Sequence, residues 1–225
     1  AEVYRKAKNI DSTEAFGSLL EFNHHELKLK HSMFPKNKNN VEEYSLTFGE
    51  NSPNPYTITK PMMISAMSFG SLGAQAIRSL SKGAKLADIP INTGEGGLSK
   101  YHLSGGADII FQIGTAKFSV RNDDNTLNDD KLIRVAEHPQ VKMIEIKFSQ
   151  GAKPGKGGIL PKEKITTEIS KIRGVPMDKD VISPERHVEC DTSKNTIKFI
   201  DRVKKVSKLP VGIKFCQVMR KNSDL

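Results

Sequence analysis

Glycine and lysine crowd one stretch of this chain, Gly151-Ala152-Lys153-Pro154-Gly155-Lys156-Gly157-Gly158. Glycines let backbone amides close on an anion and lysines add charge, so the segment reads as an anion-binding loop or as an exposed flexible one. It is not a Walker A loop, because Lys156 is followed by Gly157 and not by Ser or Thr. Nor is it GxGxxG, because Leu160 stands at the third glycine position. A second glycine turn, Asn92-Thr93-Gly94-Glu95-Gly96-Gly97, holds one carboxylate. Glu95 suits an ammonium or a substrate, or is simply exposed. Lys147 and Lys214 each close an apolar run. A lysine there is costly unless it is paired or faces a polar cavity, where it would balance an anionic cofactor ring or a carboxylate substrate. The alternative is a stem that snorkels to solvent. Met67 taken by itself reads as core packing.

Metal chemistry finds no ligand set. Cys190 and Cys216 form no CxxC pair, His24 and His25 are adjacent and diverge on a helix, and no HExxH occurs. Two thiols suit a reducing, cytoplasmic compartment. The hydrophobic share of 36% plus 17 glycines suffices to bury a core, which excludes wholesale disorder. No apolar run reaches the length of a membrane span, and Ala1 to Lys6 lack the apolar region of a secretory signal. The net charge of +9 lies mostly beyond residue 160. There the lysines alternate with acids at helical spacing, as on a solvated face. With no Trp and only 6% aromatics, a stacking platform for single-stranded nucleic acid is not expected.

The elements that must position these residues have a rhythm. Residues 1–60 read as a lead-in that packs on the rest of the fold, with a weak helix at 18–22, a polar loop at 36–40 and a turn at 51–55. No linker separates two domains. From residue 61 short apolar runs alternate with helical stripes. The expected strands are 61–66, 89–92, 108–113, 141–148, 180–183 and 211–215, and the expected helices carry Leu72 to Ala87, Leu132 to Ala136, Ile165 to Ile172 and Ile197 to Val206. Alternation of this kind predicts a parallel α/β sheet buried on both faces. Ser68, Thr93, Gln112, Gln150, Ser183 and Lys214 fall at or just past the strand ends and would converge on one mouth. A complete (β/α)8 barrel takes about 250 residues. Residues 61–225 carry five or six strands, so the expectation is a parallel (β/α) TIM-barrel type fold, incomplete within this chain.

These residues carry a resemblance. Ile64 to Gly70, Asn92 to Gly97, Gln112 to Lys117, Glu145-Ile146-Lys147 with Ser149 to Gly155, and Ile182-Ser183-Pro184 resemble successive motifs of the FMN-containing domain of glutamate synthases. The likeness is greatest to stand-alone FMN-binding glutamate-synthase-like proteins, and it includes Phe16-Gly17 and His31 to Pro35 of the lead-in. The resemblance implies that residues 61–225 are the N-terminal part of an FMN-binding barrel. It implies an oxidoreductase that reduces an iminoglutarate formed from 2-oxoglutarate, or a related 2-oxo acid, and ammonia or an amino donor. Ala66, Met67, Ser68, Thr93, Gln112, Lys147 and Lys214 match cofactor contacts; Glu95, Lys153 and Arg173 match positions around the dicarboxylate.

The chain departs from the family pattern in places. Ile159 stands where full-length members carry a glutamine, and Glu185-Arg186 where further prolines are usual. The cysteine of a glutamine-hydrolysing domain does not open the chain. The family's phosphate grip and the cysteines of its 3Fe–4S cluster lie past Leu225, so either the chain is a piece of a longer one or a second chain completes the barrel. The competing readings are a non-catalytic, partner-completed subunit without flavin and an anion or nucleic-acid binder using the basic tail.

Overall fold

The computed structural model describes residues 44–148 and 157–215, together with 5, 7–10 and 32–34. The chain divides into two units, Ala1–Glu42 and Glu43–Leu225. In the first, the Ile10 N–H donates to Arg5 O at 2.9 Å, and Ser32 Oγ both donates to Phe34 O and accepts its N–H. The readings at 16–22, 31, 35–40, 149–156 and 216, including Lys153 and Gln150, lie outside the described residues.

The second unit opens with an antiparallel pair, β1 (Leu46–Phe48) and β2 (Tyr56–Ile58). Next comes a four-stranded parallel sheet: β3 (Ile91–Asn92), β4 (Ile109–Ile113), β5 (Val141–Lys147) and, after a long excursion, β8 (Val211–Lys214). Its spatial order β3-β4-β5-β8 runs in chain order. A parallel sheet that never reverses its order winds one way, as the wall of a barrel does, and not both ways as a doubly wound sheet does. The fold is α/β with helices flanking this sheet, compatible with an incomplete TIM barrel.

Two expected strands need correction. The run at 61–66 contributes a single parallel bridge, Ile64 to Ile91, beside β3. Pro61 lacks a ladder donor, and Met62 and Met63 stay exposed, so little of the run is worth pairing. Val181–Ile182 is a strand, β7, but it pairs antiparallel with β6 (Ile159–Leu160) outside the parallel sheet. Ser183 is therefore not the tip of a sheet strand. The excursion still reaches the end of β4, because Thr115 Oγ1 donates to Pro184 O at 2.7 Å.

Helices α1 (Ala74–Ala87), α2 (Lys100–Leu103), α3 (Asp129–Ala136), α4 (Thr167–Arg173) and α5 (Ser193–Ser207) fill the connections. Asn128, Thr166 and Thr192 start α3, α4 and α5, each accepting a backbone N–H three residues on. Gly174, at φ 67, ends α4 as the sequence predicts. The helical stripes bury fewer residues than expected: Ile133 and Ile197 are exposed, while Leu132, Phe199 and Val203 enter the core.

Alternation along the strands sorts two faces. Ile109, Phe111, Ile113, Ile144 and Ile146 join the helices in one core cluster. The alternate residues form the inner face. Register sets Asn92 beside Ile110, Gln112 beside Glu145, and Lys147 beside Lys214. At its floor, Ile110 and Met63 meet Leu46, Phe48 and Ile58 of the β1–β2 pair around an apolar cavity of about 250 Å³.

Candidate active site

The polar end of the inner face is built from three turns and two strand tips. After the Ile64 bridge, the Met67 peptide is held on both sides. Its N–H donates to Asn92 O at 3.1 Å, and its carbonyl accepts from His102 Nε2 at 2.8 Å. A carbonyl only accepts, so Nε2 carries the proton and Nδ1 accepts from Ser99 Oγ at 2.8 Å. Burial pushes the His102 pKa down, which keeps the ring neutral. Ala66, Met67 and Ser68 are half-buried, and Ser68 Oγ donates to Ser71 Oγ.

The turn after β3 lies against this segment. Thr93 is fully buried, and its hydroxyl is engaged: it donates to Gly94 O at 2.9 Å and accepts the Gln112 N–H at 3.0 Å. That ties the end of β3 to the end of β4. Glu95 Oε2 lies 3.3 Å from Lys147 Nζ, with both side chains largely shielded. Inside the sheet, Glu145 Oε1 accepts from Asn92 Nδ2 at 2.9 Å and from Gln112 Nε2 at 2.5 Å. Lys214, the register partner of Lys147, is exposed at the end of the edge strand.

Arg173 sits beneath the turns, only 5% exposed. One guanidinium nitrogen donates to Phe69 O at 3.0 Å, and the group lies 5.0 Å over the Phe118 ring. Burial lowers its pKa, and the nearby charge of Glu95 opposes that fall. The fork is thus aimed at backbone, and it braces the Phe69–Gly70 turn from below.

A second buried imidazole holds the end of β5. His187 Nε2 donates to Lys147 O at 2.9 Å, between the rings of Phe148 and Phe199. Its Nδ1 is buried without a hydrogen-bond partner among the described residues. Burial, and then the Lys117 cation, push its pKa from 6.5 down to about 4. Above pH 6.5 the ring is neutral folded and unfolded, and its contribution is fully present. As pH falls from 6.5 towards 4, the unfolded chain takes a proton that the folded chain refuses, and stability is lost. The loss reaches about 3 kcal/mol at the low end. Urea unfolding of His187→Gln, which keeps an N–H donor but does not titrate, is expected to show a stability gap between pH 7.5 and 4.5 smaller than wild type by about 2–3 kcal/mol. Equal gaps would show that His187 is not the group responsible.

Of the residues expected from sequence, Met67, Thr93, Glu95, Gln112, Lys147 and Lys214 lie at one end of the sheet, with Arg173 below them. Not expected were Glu145, which holds the Gln112 side chain, and Asn92, which donates to Glu145, nor His102, His187 and Lys117. A carboxylate between Ile144 and Ile146 was a visible signal, since a charge inside an apolar strand demands partners. The two histidines carry no sequence signal beyond being apart from any metal motif. Among the described residues, no group of three or more His, Cys, Asp or Glu is placed to hold a metal ion. No helix among them is long and apolar enough to cross a membrane.

Comparison with known proteins bears on what this mouth serves. Residues 2–223 match the family model described as the conserved region in glutamate synthase. This chain belongs to the glutamate synthase family. It is 42% identical over 166 residues to the glutamate synthase large subunit-like protein YerD of Bacillus subtilis (strain 168), covering 71% of this chain and 31% of that protein. It is 36% identical over 160 residues to the archaeal-type glutamate synthase [NADPH] of Thermotoga sp. (strain RQ2), covering 70% and 29%. The archaeal glutamate synthase [NADPH] of Methanocaldococcus jannaschii gives the same identity, 36%, over 70% of this chain and 29% of its own. The chain therefore spans about 30% of the length of these glutamate synthase relatives.

Proposed function

We propose that this chain carries the ring-side part of an FMN site in a glutamate synthase-like oxidoreductase, which reductively aminates 2-oxoglutarate or a related 2-oxo acid. The observation that carries the reading is the convergence of the Met67 peptide, the Thr93–Glu95 turn, Gln112 and Lys147 at one end of a singly wound parallel sheet. The residues present fit a flavin ring. Gln112 Oε1 is a buried acceptor without a donor among the described residues, and Lys147 and Lys214 stand as register partners where negative charge is to be held. Bound FMN would supply the two electrons and proton that turn the imine of a 2-oxo acid into an amino acid.

In this reading Ala66, Met67, Ser68 and Thr93 support one side of the ring, through backbone fixed by His102 and Thr93 Oγ1. Gln112, Lys147 and Lys214 face it. A cation near the reduced ring stabilises the charge it gains. Glu95, held against Lys147, and Lys153 serve the substrate side, and Arg173 adds positive charge from beneath. Ile159 is 65% exposed on β6, without a polar head for a substrate carboxylate. That favours a 2-oxo acid needing one donor fewer.

The test is an FMN titration of the chain followed by flavin absorbance and fluorescence. Wild type is expected to show saturable binding. Lys214→Ala is expected to weaken it about tenfold or more, the scale of one charge-assisted contact. Lys198→Ala, on the exposed face of α5, is expected to change it little. Absence of saturable binding in wild type would sink the reading, and equal effects of the two lysines would sink the assignment of Lys214.

A further inference from the structure

The inner face of the sheet sets one carboxylate against two amides. Glu145 Oε1 takes a hydrogen from Asn92 Nδ2 and another from Gln112 Nε2. An ionised carboxylate only accepts, whereas an amide has one end that donates and one that accepts. Glu145 therefore dictates which way both amides face. Asn92 has a use for its other end, because Oδ1 accepts the Gly94 N–H at 2.9 Å. Gln112 has none. Its side chain is buried, the residue being 1% exposed, and Oε1 has no hydrogen-bond partner among the described residues. A buried acceptor left empty is costly, and such atoms mark the place of a ligand's hydrogen. The Gln112 backbone is held as well, its N–H donating to Thr93 Oγ1.

Resting on the flavin reading, we propose that Glu145 is a positioning residue that fixes the polarity of Gln112, so that the ligand at this mouth must offer Gln112 Oε1 an N–H. The imide of a flavin pyrimidine ring offers one, and a bare carbonyl does not. Turning the Gln112 amide would present its Nε2 to a carbonyl equally well. With Glu145 in place, that turn sets Oε1 against a carboxylate oxygen, lone pair against lone pair. Selectivity at the mouth thus originates in a residue that acts through its neighbour. A purely structural Glu145 would support the sheet without choosing between ligands.

The test compares two flavins on wild type and Glu145→Leu, which removes the acceptor: FMN, and 3-methyl-FMN, in which a methyl group replaces the imide hydrogen. Wild type is expected to prefer FMN at least about tenfold, the scale of one hydrogen bond to a buried acceptor. With no acceptor at 145 the Gln112 amide can turn either end to the ligand, so the preference is expected to fall to about threefold or less in the variant. An unchanged preference in a variant that binds FMN overturns the proposal, since the bulk of the methyl group would then explain the whole effect. A wild type that binds neither flavin fails earlier, at the flavin reading. A second measurement needs no variant. With ¹⁵N at position 3 of FMN, the imide proton is expected downfield of its free position and slowed in exchange when bound to wild type. An imide proton unmoved on binding overturns the proposal as well.

Discussion

Replacing Lys117 with methionine is expected to lower the unfolding free energy by about 3–5 kcal/mol. The Lys117 side chain is wholly buried, and that of Glu189, its partner at 2.8 Å, is 18% exposed. Lys117 Nζ also donates to Asn125 O at 3.0 Å and lies 5.6 Å from the Phe199 ring centre. Glu189 in turn accepts the Leu127 N–H at 2.8 Å. Burial alone pulls the lysine pKa down, and Glu189 resists that fall. Methionine fills the volume but leaves the shielded carboxylate without a cation and the Asn125 carbonyl without this donor. A buried pair of this kind need not be worth much in total, because both charges lose their water on folding. The cost appears when one partner is removed. The double variant Lys117→Met with Glu189→Leu is therefore expected to recover a good part of the loss. Urea melts of the three variants decide it: a Lys117→Met protein within about 1 kcal/mol of wild type would show that the pair is not buried in solution.

The second large effect is expected at Gly94. Its φ of +64 lies in the left-handed region, and a Cβ there would meet the Ser68 backbone nitrogen at 2.8 Å. Alanine would carry a conformational cost of about 1–2 kcal/mol. Overpacking against backbone adds about 1–3 kcal/mol. Gly94→Ala is thus expected to destabilise by about 2–5 kcal/mol. It would also separate the Glu95 turn from the Ser68 segment and weaken FMN binding beyond what the stability loss explains. Gly106 supplies the control. Its φ is +77, but a Cβ there meets nothing within 4 Å. Gly106→Ala is expected to show the conformational cost alone and normal FMN binding. Matching losses in the two variants would mean that the Gly94–Ser68 approach is unimportant.

The parallel sheet was legible because its central strands are unambiguous. Ile109–Ile113 is buried throughout and Val141–Lys147 buries Val141, Ile144 and Ile146, and the ends of both strands fall close to where the expected runs stop. The helices were legible as apolar stripes, whereas their starts at Asn128, Thr166 and Thr192 came only with the structure. Val181–Ile182 was legible as a strand but its pairing was not, because two apolar residues do not say which strand they will meet. Ile159 and Leu160, on the far side of α4 in the chain, decided it. At the site, sequence motifs identified which residues gather but not how they are held. The seat of Arg173 under the Phe69–Gly70 turn joins residues a hundred positions apart. His187 likewise reaches Lys147 O, 40 positions away, from outside the sheet. Such contacts depend on tertiary closure, which no local pattern encodes.

The unreversed order of the parallel strands bears on how the molecule is made. Each strand up to β5 docks on the one synthesised just before it, so the wall can grow vectorially as the chain leaves the ribosome. The exception is the joint between Lys147 and Val211, which must wait for the whole intervening arm, including α5. Closing that gap carries the largest chain-entropy barrier in the sheet. Until it closes, β5 presents a bare backbone edge, and this is the interval in which a nascent chain would most need a chaperone's cover.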